Sequence, residues 1–353
     1  MRLFDLWQFA DANPGIVTAM KPDDSSILVS VVIPTFNRAA LLKELVESLG
    51  EQTLTPSRYE VIVVDNCSTD RTAELIGELQ SHLRCRVLYH RMPENRGPVR
   101  SRNTAARMAE GEILAFTDSD CRAGRDWLER GVAALDSHPE AAFVTGPIRD
   151  KPEQATGFFT LRYESQPGED RTYRAGNIFY RKNVFWEAGG FDETAYYGQT
   201  SFMHYECADI DLAWRIKEKG YRNYYAADVV IYHEVWKVTP WNWLHKQTQL
   251  MPLPLFLKRH PQLAGSFLWH GPLLAPQNAL FYMLVAGIAL APVNPFYLLL
   301  TAPYVGWLMS RVKLELWKTP VRLMAALVFW SFAQAVMCGS LLWGSIRARR
   351  IVL

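Results

Sequence analysis

The sequence lacks the cysteine spacing of a zinc site or of a disulfide-stapled fold. Its 353 residues contain five cysteines, an odd number, and no two of them form a C-x-x-C pair. Structural zinc sites and disulfide frameworks need cysteines at paired spacings, so this set is typical of a reducing compartment. We therefore expect neither device to hold this fold together.

A surplus of charge of one sign is also absent. The 38 basic and 36 acidic residues leave a formal net charge of +2. Nucleic-acid-binding domains usually carry a concentrated basic face, so we expect no nucleic-acid partner. Hydrophobic residues make up 49% of the chain and charged residues 21%, which is the balance of a folded protein.

Two common nucleotide-binding signatures are missing. The chain contains no G-x-G-x-x-G and no G-x-x-x-x-G-K-S/T, so a dinucleotide-binding domain and a P-loop lose their motif support. The start of the chain lacks the uninterrupted apolar core of a secretory signal, because Asp5 and Asp11 interrupt it. For residues 1–27 we expect an interfacial helix on a membrane or a helix packed on the domain.

Residues 27–120 alternate between apolar runs and amphipathic segments. The segment from Arg38 to Gly50 places its leucines at helical spacing, between two runs that are continuously apolar. Strands that are apolar on both faces and separated by helices indicate a parallel sheet covered on both sides, in an α/β fold. The predicted strands are Ile27–Pro34, Tyr59–Asp65, Cys85–Tyr89 and Glu112–Thr117.

Carboxylates stand at the ends of two predicted strands. Asp65 ends the second strand, and Asp118-Ser119-Asp120 follows the fourth. Ligands of such sheets bind beyond the carboxyl ends of the strands. Two carboxylates with one residue between them point to the same side of an extended chain, which suits one hard cation. We predict Mg²⁺ or Mn²⁺ at Asp118 and Asp120, with diphosphate oxygens completing its coordination.

Five motifs occur in an order that resembles the inverting glycosyltransferases of family 2. They are VSVVIPTFNR (29–38), VIVVDNCSTDRT (61–72), ENRGPVRSRNTA (94–105), FTDSDC (116–121) and DIDLAWR (209–215). The resemblance covers about residues 28 to 235. It implies the Rossmann-like GT-A fold, a mixed and mainly parallel sheet flanked by helices.

The resemblance implies a nucleotide-sugar site at the strand ends. A carboxylate at Asp65 could accept a hydrogen bond from the base, usually uracil, and Arg102 could pair with a phosphate or with Asp118. Capping of the following turn is the alternative role for Asp65. The positions matched to nucleotide-sugar binding are Pro34, Thr35, Asp65, Arg102, Asp118, Ser119 and Asp120.

The resemblance also implies a general base at the start of a predicted helix. The family pattern there is Glu-Asp-x-Asp-Leu-x-x-Arg, and Asp209 matches the Asp that takes the proton of the acceptor hydroxyl. Ala208 stands where the family has Glu, so Glu206 is considered as a substitute. Alternatively, Asp209 and Asp211 are charges favoured at a helix N-terminus, Asp211 with Arg215 one turn later.

Further positions are matched to the metal and to the sugar. In many related enzymes a His in the region that corresponds to His233 completes the metal shell. Neutral imidazole is an acceptable Mn²⁺ ligand. A structural His after a strand is the alternative. Gly176, Asn177 and Arg215 are expected in the acceptor or sugar region, although a simple turn also explains the glycine.

The composition changes after residue 235. Residues 236–272 have the tryptophans and prolines of an interfacial connection, and residues 273–353 are strongly apolar. Prolines divide Leu273–Met309 into halves too short to span a bilayer, whereas Leu323–Ile346 is uncharged and long enough. We predict membrane-associated helices, one spanning and the others interfacial or re-entrant; a buried helical subdomain is the alternative.

The sequence therefore predicts a metal-dependent inverting glycosyltransferase with its catalytic domain facing the cytoplasm. We expect a UDP-sugar donor and, from the apolar tail, a hydroxyl of a lipid-linked or membrane-held acceptor. The Q-x-x-R-W motif of processive synthases is absent, which favours addition of single sugars. The alternatives are a sugar-phosphate nucleotidyltransferase, whose glycine-rich signature is missing, and an inactive membrane scaffold, which only Ala208 supports.

Overall fold

The structure is a computed structural model that describes residues 26–157, 159–165, 168, 172–194, 207–311 and 319–353. The helix expected before residue 26 and the substitute base Glu206 lie outside the described residues. The chain divides into two compact units. The first comprises Met1–Thr156, Arg162–Ala195 and Ala208–Trp236, and the second Gly157–Leu161, Tyr196–Cys207 and Lys237–Leu353.

The first unit is built on a mixed, mainly parallel sheet, as predicted. Its seven strands are β1 (Val29–Thr35), β2 (Tyr59–Asp65), β3 (Arg86–Arg91), β4 (Ile113–Phe116), β6 (Ala141–Thr145), β9 (Ile178–Arg181) and β10 (Arg222–Tyr225), in the order β10-β6-β9-β4-β1-β2-β3. Strand β9 runs antiparallel to β4 and β6, and the other neighbours are parallel. The continuously buried β1 and β2 explain why their sequences do not alternate.

Among the described residues, the helices that accompany this sheet are α1 (Ala39–Gly50), α2 (Thr72–Gln80), α3 (Pro98–Met108), α4 (Trp127–Ser137), α5 (Lys182–Glu187) and α6 (Cys207–Glu218). A 3₁₀ turn, Pro56–Arg58, precedes β2. Helix α1 shows why the pattern predicted a helix, because Leu42, Leu45 and Leu49 recur at helical spacing and are fully buried. Burial of such a side chain contributes roughly 1.5–3 kcal/mol.

A second, three-stranded sheet brings distant residues to the carboxyl end of β4. It consists of β5 (Cys121–Ala123), β7 (Ile148–Asp150) and β11 (Ile231–His233), with β11 in the middle. Strand β11 is antiparallel to β5, so His233 lies opposite Cys121. Gly146 is needed nearby, because a Cβ there would lie 1.9 Å from the carbonyl oxygen of Val229.

The second unit is helical. Its helices are α7 (Pro240–Lys246), α8 (Leu253–Arg259), α9 (Ala264–Phe267), α10 (Pro276–Leu290), α11 (Ala302–Arg311) and α12 (Pro320–Ala348), with 3₁₀ turns at Gln247–Leu250, Pro261–Leu263 and Pro295–Thr301. Two short strands, β8 (Thr160–Leu161) and β12 (Trp236–Lys237), pair separately.

The break predicted between the two apolar halves is present after α10. The 3₁₀ turn that follows approaches α10 closely, since a Cβ at Gly287 would lie 2.7 Å from the carbonyl oxygen of Tyr297. Within α12, Leu323–Ala348 is long and apolar enough to cross a membrane, with a mean hydropathy of 1.7. The 15 residues of α10 are fewer than the roughly 20 that spanning requires.

Candidate functional site

The Asp118-Ser119-Asp120 segment forms a turn, which corrects the geometry expected for its carboxylates. Strand β4 ends at Phe116, and the Cys121 N–H donates a hydrogen bond of 3.0 Å to the carbonyl oxygen of Asp118. Because the chain is not extended here, the alternation that would aim both carboxylates to one side does not apply. Asp118 and Asp120 each contact a different arginine.

Arg102 joins Asp118 to Asp209. It projects from α3, its side chain is 9% exposed, and its Nη2 lies 2.6 Å from Asp118 Oδ1. Its Nη1 lies 3.6 Å from Asp209 Oδ1 on α6. Burial alone would raise the pKa of Asp118, but the Arg102 guanidinium holds that pKa below its usual value. Burial opposes the charge on Arg102, but Asp209 and Asp118 raise its pKa. One buried cation thus neutralises two carboxylates.

The loop before β9 lies against the carboxylates of Asp118 and Asp209. The backbone N–H of Ala175 donates a 2.9 Å hydrogen bond to Asp209 Oδ2. At the next residue, a Cβ on Gly176 would lie 3.4 Å from Asp118 Oδ2 and 3.1 Å from Ile148 Cδ1. Gly176 therefore lets the backbone approach the carboxylate of Asp118, and its place in the acceptor or sugar region stays a prediction.

Asp120 is the centre of a second group of contacts. Its Oδ2 lies 2.8 Å from Arg38 Nη1 and accepts a 3.0 Å hydrogen bond from Trp236 Nε1. Its Oδ1 is buried, has no hydrogen-bond partner among the described residues and lies 3.3 Å from His233 Nε2. Burying a carboxylate oxygen without a partner costs free energy, so Oδ1 of Asp120 is a suitable ligand atom for a cation.

Ligand atoms suited to a metal meet at this oxygen. Within the described part of the chain, Asp120, Cys121 and His233 offer ligand atoms within 4.8 Å of one another. Carboxylate and imidazole together suit Mn²⁺. Two of the three predicted metal ligands, Asp120 and His233, are thus together, whereas the third, Asp118, is paired with Arg102. The donor set fits a divalent cation.

The predicted nucleoside contacts occupy the ends of β1 and β2. Thr35 and Asp65 are register partners and are both buried. Asp65 Oδ1 accepts the backbone N–H of Ser68 at 2.9 Å, and its Oδ2 accepts the hydroxyl of Tyr89 at 2.6 Å. Burial and the neighbouring Asp65 carboxylate raise the pKa of Tyr89. Asp65 therefore caps the following turn, although each oxygen retains a second lone pair for a base.

Two residues predicted near the acceptor are engaged inside the protein. The buried amide of Asn177 donates to the carbonyl oxygens of Pro147 and Val229 and accepts from Trp127 Nε1. Arg215 lies 2.7 Å from Asp211 and donates to the carbonyl oxygens of Ala188 and Gly190. These contacts favour structural roles for both side chains. The pairing of Asp211 with Arg215 is the one anticipated from their spacing.

Arg38, Cys121 and Trp236 are site residues that the sequence did not single out. Arg38 and Trp236 also contact each other, with the guanidinium 5.0 Å from the ring centroid. Cys121 directly follows the D-x-D, and Arg38 ends the first motif, so position offered some signal for both. Trp236 carried none, because only the path of the chain after β11 brings its indole to Asp120.

Comparison with known proteins finds a matching family and several similar glycosyltransferases. Residues 30–195 match the family described as Glycosyl transferase family 2. The chain is 29% identical to the glycosyltransferase AglE of Haloferax volcanii over 213 residues, 58% of this chain and 66% of AglE. It is 27% identical to a validoxylamine A glucosyltransferase of Streptomyces hygroscopicus over 287 residues, 69% of this chain and 59% of that enzyme. The chain thus spans less than two thirds of the length of these curated relatives.

A third relative and a solved structure extend the comparison. The chain is 28% identical over 233 residues to the glucosyl-dolichyl phosphate glucuronosyltransferase of Haloferax volcanii, covering 61% of this chain and 72% of that one. The mannosyltransferase PcManGT from Pyrobaculum calidifontis, solved with GDP-Man and Mn²⁺, superposes with a TM-score of 0.54 at 22% identity. That superposition covers 93% of this chain and 90% of PcManGT, which shows a shared fold.

Proposed function

Because residues 30–195 match Glycosyl transferase family 2, we propose that the protein transfers a sugar from a nucleotide-sugar donor, with inversion, to an acceptor hydroxyl. What supports this proposal most is the contact of Arg102 with both Asp118 and Asp209. These three residues come from α3, the end of β4 and α6. The guanidinium of Arg102 thus contacts both the carboxylate that we propose for donor binding and the one that we propose as the base.

Asp209 is the proposed general base. Its Oδ1 lies 3.6 Å from Arg102 Nη1 and its Oδ2 accepts the backbone N–H of Ala175, so both contacts orient the carboxylate. In the proposed step, the acceptor oxygen forms a bond to the anomeric carbon while the bond from that carbon to the diphosphate oxygen breaks. The proton of the acceptor hydroxyl moves to Asp209. Attack opposite the leaving group inverts the configuration.

The second group of contacts is the proposed diphosphate end of the site. Asp120 and His233 would hold Mn²⁺ or Mg²⁺, which when bound neutralises charge on the leaving diphosphate. Arg38, 40% exposed in its side chain, stands beside Asp120 and can pair with a phosphate oxygen. Thr35 and Asp65 lie on the nucleoside side, and we propose uracil as the base because Asp65 can accept from an N–H of that ring.

The second unit is proposed to hold the protein at a membrane, near a lipid-linked acceptor. Residues 261–310 contain no Asp, Glu, Lys or Arg. Large apolar side chains are nevertheless exposed there, including Val293 (80%), Phe296 (78%) and Leu299 (71%). Exposure of several large apolar side chains is typical of a lipid contact. We also propose that the catalytic domain faces the reducing cytoplasm, because the five cysteines lack paired spacing in the sequence.

Asp209→Asn tests the proposed base. The asparagine keeps the shape but cannot take a proton, so transfer should fall by 10²-fold or more, in the range of general-base catalysis. Donor binding, measured by thermal shift with a panel of UDP- and GDP-sugars, should remain within a few-fold. Glu218→Gln, at the exposed end of the same helix, is the matched control.

The same assay separates the alternatives. Full activity of Asp209→Asn together with loss of activity in Glu206→Gln would assign the base to Glu206. Release of inorganic diphosphate from a nucleoside triphosphate and a sugar phosphate would indicate a nucleotidyltransferase. If no nucleotide sugar yields a nucleoside diphosphate with Mn²⁺ or Mg²⁺, the inactive scaffold is the better description.

A further inference from the structure

Lys151 is a buried lysine close to the proposed metal site. Its side chain is 1% exposed, and its Nζ lies 2.5 Å from Glu44 Oε2 and 3.1 Å from Glu234 Oε2. A buried ammonium is costly unless it is paired, and these carboxylates pair it. Lys151 follows β7, Glu44 belongs to α1, and Glu234 directly follows β11. The lysine therefore links three elements of the first unit.

Glu234 transmits this contact to both proposed metal ligands. Its backbone N–H donates a 3.0 Å hydrogen bond to the carbonyl oxygen of Asp120. Its carbonyl oxygen lies 2.8 Å from His233 Nδ1. Its side chain is held by Lys151 and by Gln154, whose Nε2 donates at 2.6 Å. A residue anchored through its side chain thus orients Asp120 and His233 through its backbone.

The contact to His233 decides which ring nitrogen faces the site. A carbonyl oxygen only accepts, so Nδ1 must carry the proton that it donates to Glu234. In the neutral ring, Nε2 is then the free acceptor, and it points at Asp120 Oδ1 from 3.3 Å. Fixing a ligand histidine through its other nitrogen commonly raises metal affinity. Lys151 also holds α1, which begins immediately after Arg38, another partner of Asp120.

We propose that Lys151 is a positioning residue that presets the tautomer of His233 and the place of Asp120 for a divalent cation. The proposal rests on the metal site of the proposed function. This role requires the positive charge of Lys151, because a buried cation is needed to contact Glu44 and Glu234 together.

Lys151→Met tests the role, with Lys151→Arg as the conservative variant. The measurement is Mn²⁺ binding to the full chain without donor or acceptor, from the electron paramagnetic resonance signal of free Mn²⁺. We expect the methionine to raise the Kd for Mn²⁺ by about 10–100-fold and the arginine to restore most of the affinity. Lys182→Met, a partly buried lysine whose Nζ bonds the carbonyl oxygen of Ala109, should stay within about 2-fold.

A second measurement tests the effect of Lys151 on His233 without metal and independently of protein stability. In metal-free protein, ¹⁵N resonances of the His233 ring should show protonated Nδ1 in the wild type and a mixed tautomer in Lys151→Met. A wild-type Kd and tautomer in a Lys151→Met protein that merely melts earlier would overturn the proposal. If the wild type binds no Mn²⁺, the proposed metal site fails, and the tautomer alone then decides the role of Lys151.

Discussion

Arg102→Met removes the cation that Asp118 and Asp209 share while keeping most of the apolar stem. Breaking a fully buried ion pair costs about 3–5 kcal/mol. The Asp118 side chain is 29% exposed and that of Asp209 19%, so solvent screening lowers the expected loss to about 2 kcal/mol. For a unit of this size each kcal/mol moves Tm by about 2–4 °C. We therefore expect Tm to fall by roughly 4–8 °C.

The loss should depend on pH in a defined direction. In the folded chain Arg102 holds the pKa of Asp118 below the ordinary value of 3.8. A depressed carboxyl pKa contributes stability that is complete above the unfolded pKa and is lost as the pH falls through the folded pKa. The difference in Tm between wild type and Arg102→Met should thus be largest near neutral pH and shrink as the pH falls below 3.8.

Thermal unfolding of both proteins across this pH range, followed by circular dichroism, is the assay. Arg100→Met is the matched control, since Arg100 lies on the same helix, is 41% exposed and pairs with Glu193 at 3.6 Å. It should change Tm by less than about 2 °C. A wild-type Tm for Arg102→Met at neutral pH, or a loss that does not change with pH, would refute the reasoning.

Three further outcomes follow from burial and close approach. Asn177→Ala should lower stability by about 3 kcal/mol or more, because three buried groups lose their partner; a change in Tm below about 2 °C would contradict this. Gly146→Ala should abolish soluble expression, since its Cβ would lie 1.9 Å from the carbonyl oxygen of Val229; normal yield and Tm would exclude that clash. Replacing exposed Phe296 and Leu299 by serine should reduce co-flotation with lipid vesicles without lowering Tm, and unchanged flotation would remove this surface from the membrane contact.

Local periodicity was sufficient for much of the fold. The strand predicted at Tyr59–Asp65 has these same bounds, and α1 and α6 begin within two residues of the predicted positions. A short run rich in β-branched residues favours a buried strand, and leucines at helical spacing favour an amphipathic helix. The same logic placed Asp65 at the end of β2 and Asp118 just after β4, because the apolar runs Val61–Val64 and Ile113–Phe116 end shortly before these carboxylates.

Pairing between distant segments could not be predicted in this way. Because the chain turns at Ser119, Asp118 contacts Arg102 and Asp120 contacts Arg38. A backbone hydrogen bond holds this turn, and the residue composition does not predict it. Asn177 looked like part of a sugar-binding loop, but its amide satisfies three groups supplied by segments far along the chain. Which polar groups are buried together is a property of the packed chain alone.

The sequence by itself thus determined the α/β class, the family motifs and the apolar character of the last 81 residues predicted as membrane-associated, residues 273–353. These properties reside in residue types and their spacing along a short stretch of chain. Only the tertiary structure decided that Arg102 joins Asp118 to Asp209, and that Lys151 reaches His233 through Glu234. Such contacts depend on sheet order and register, which set distances between segments that no local pattern encodes.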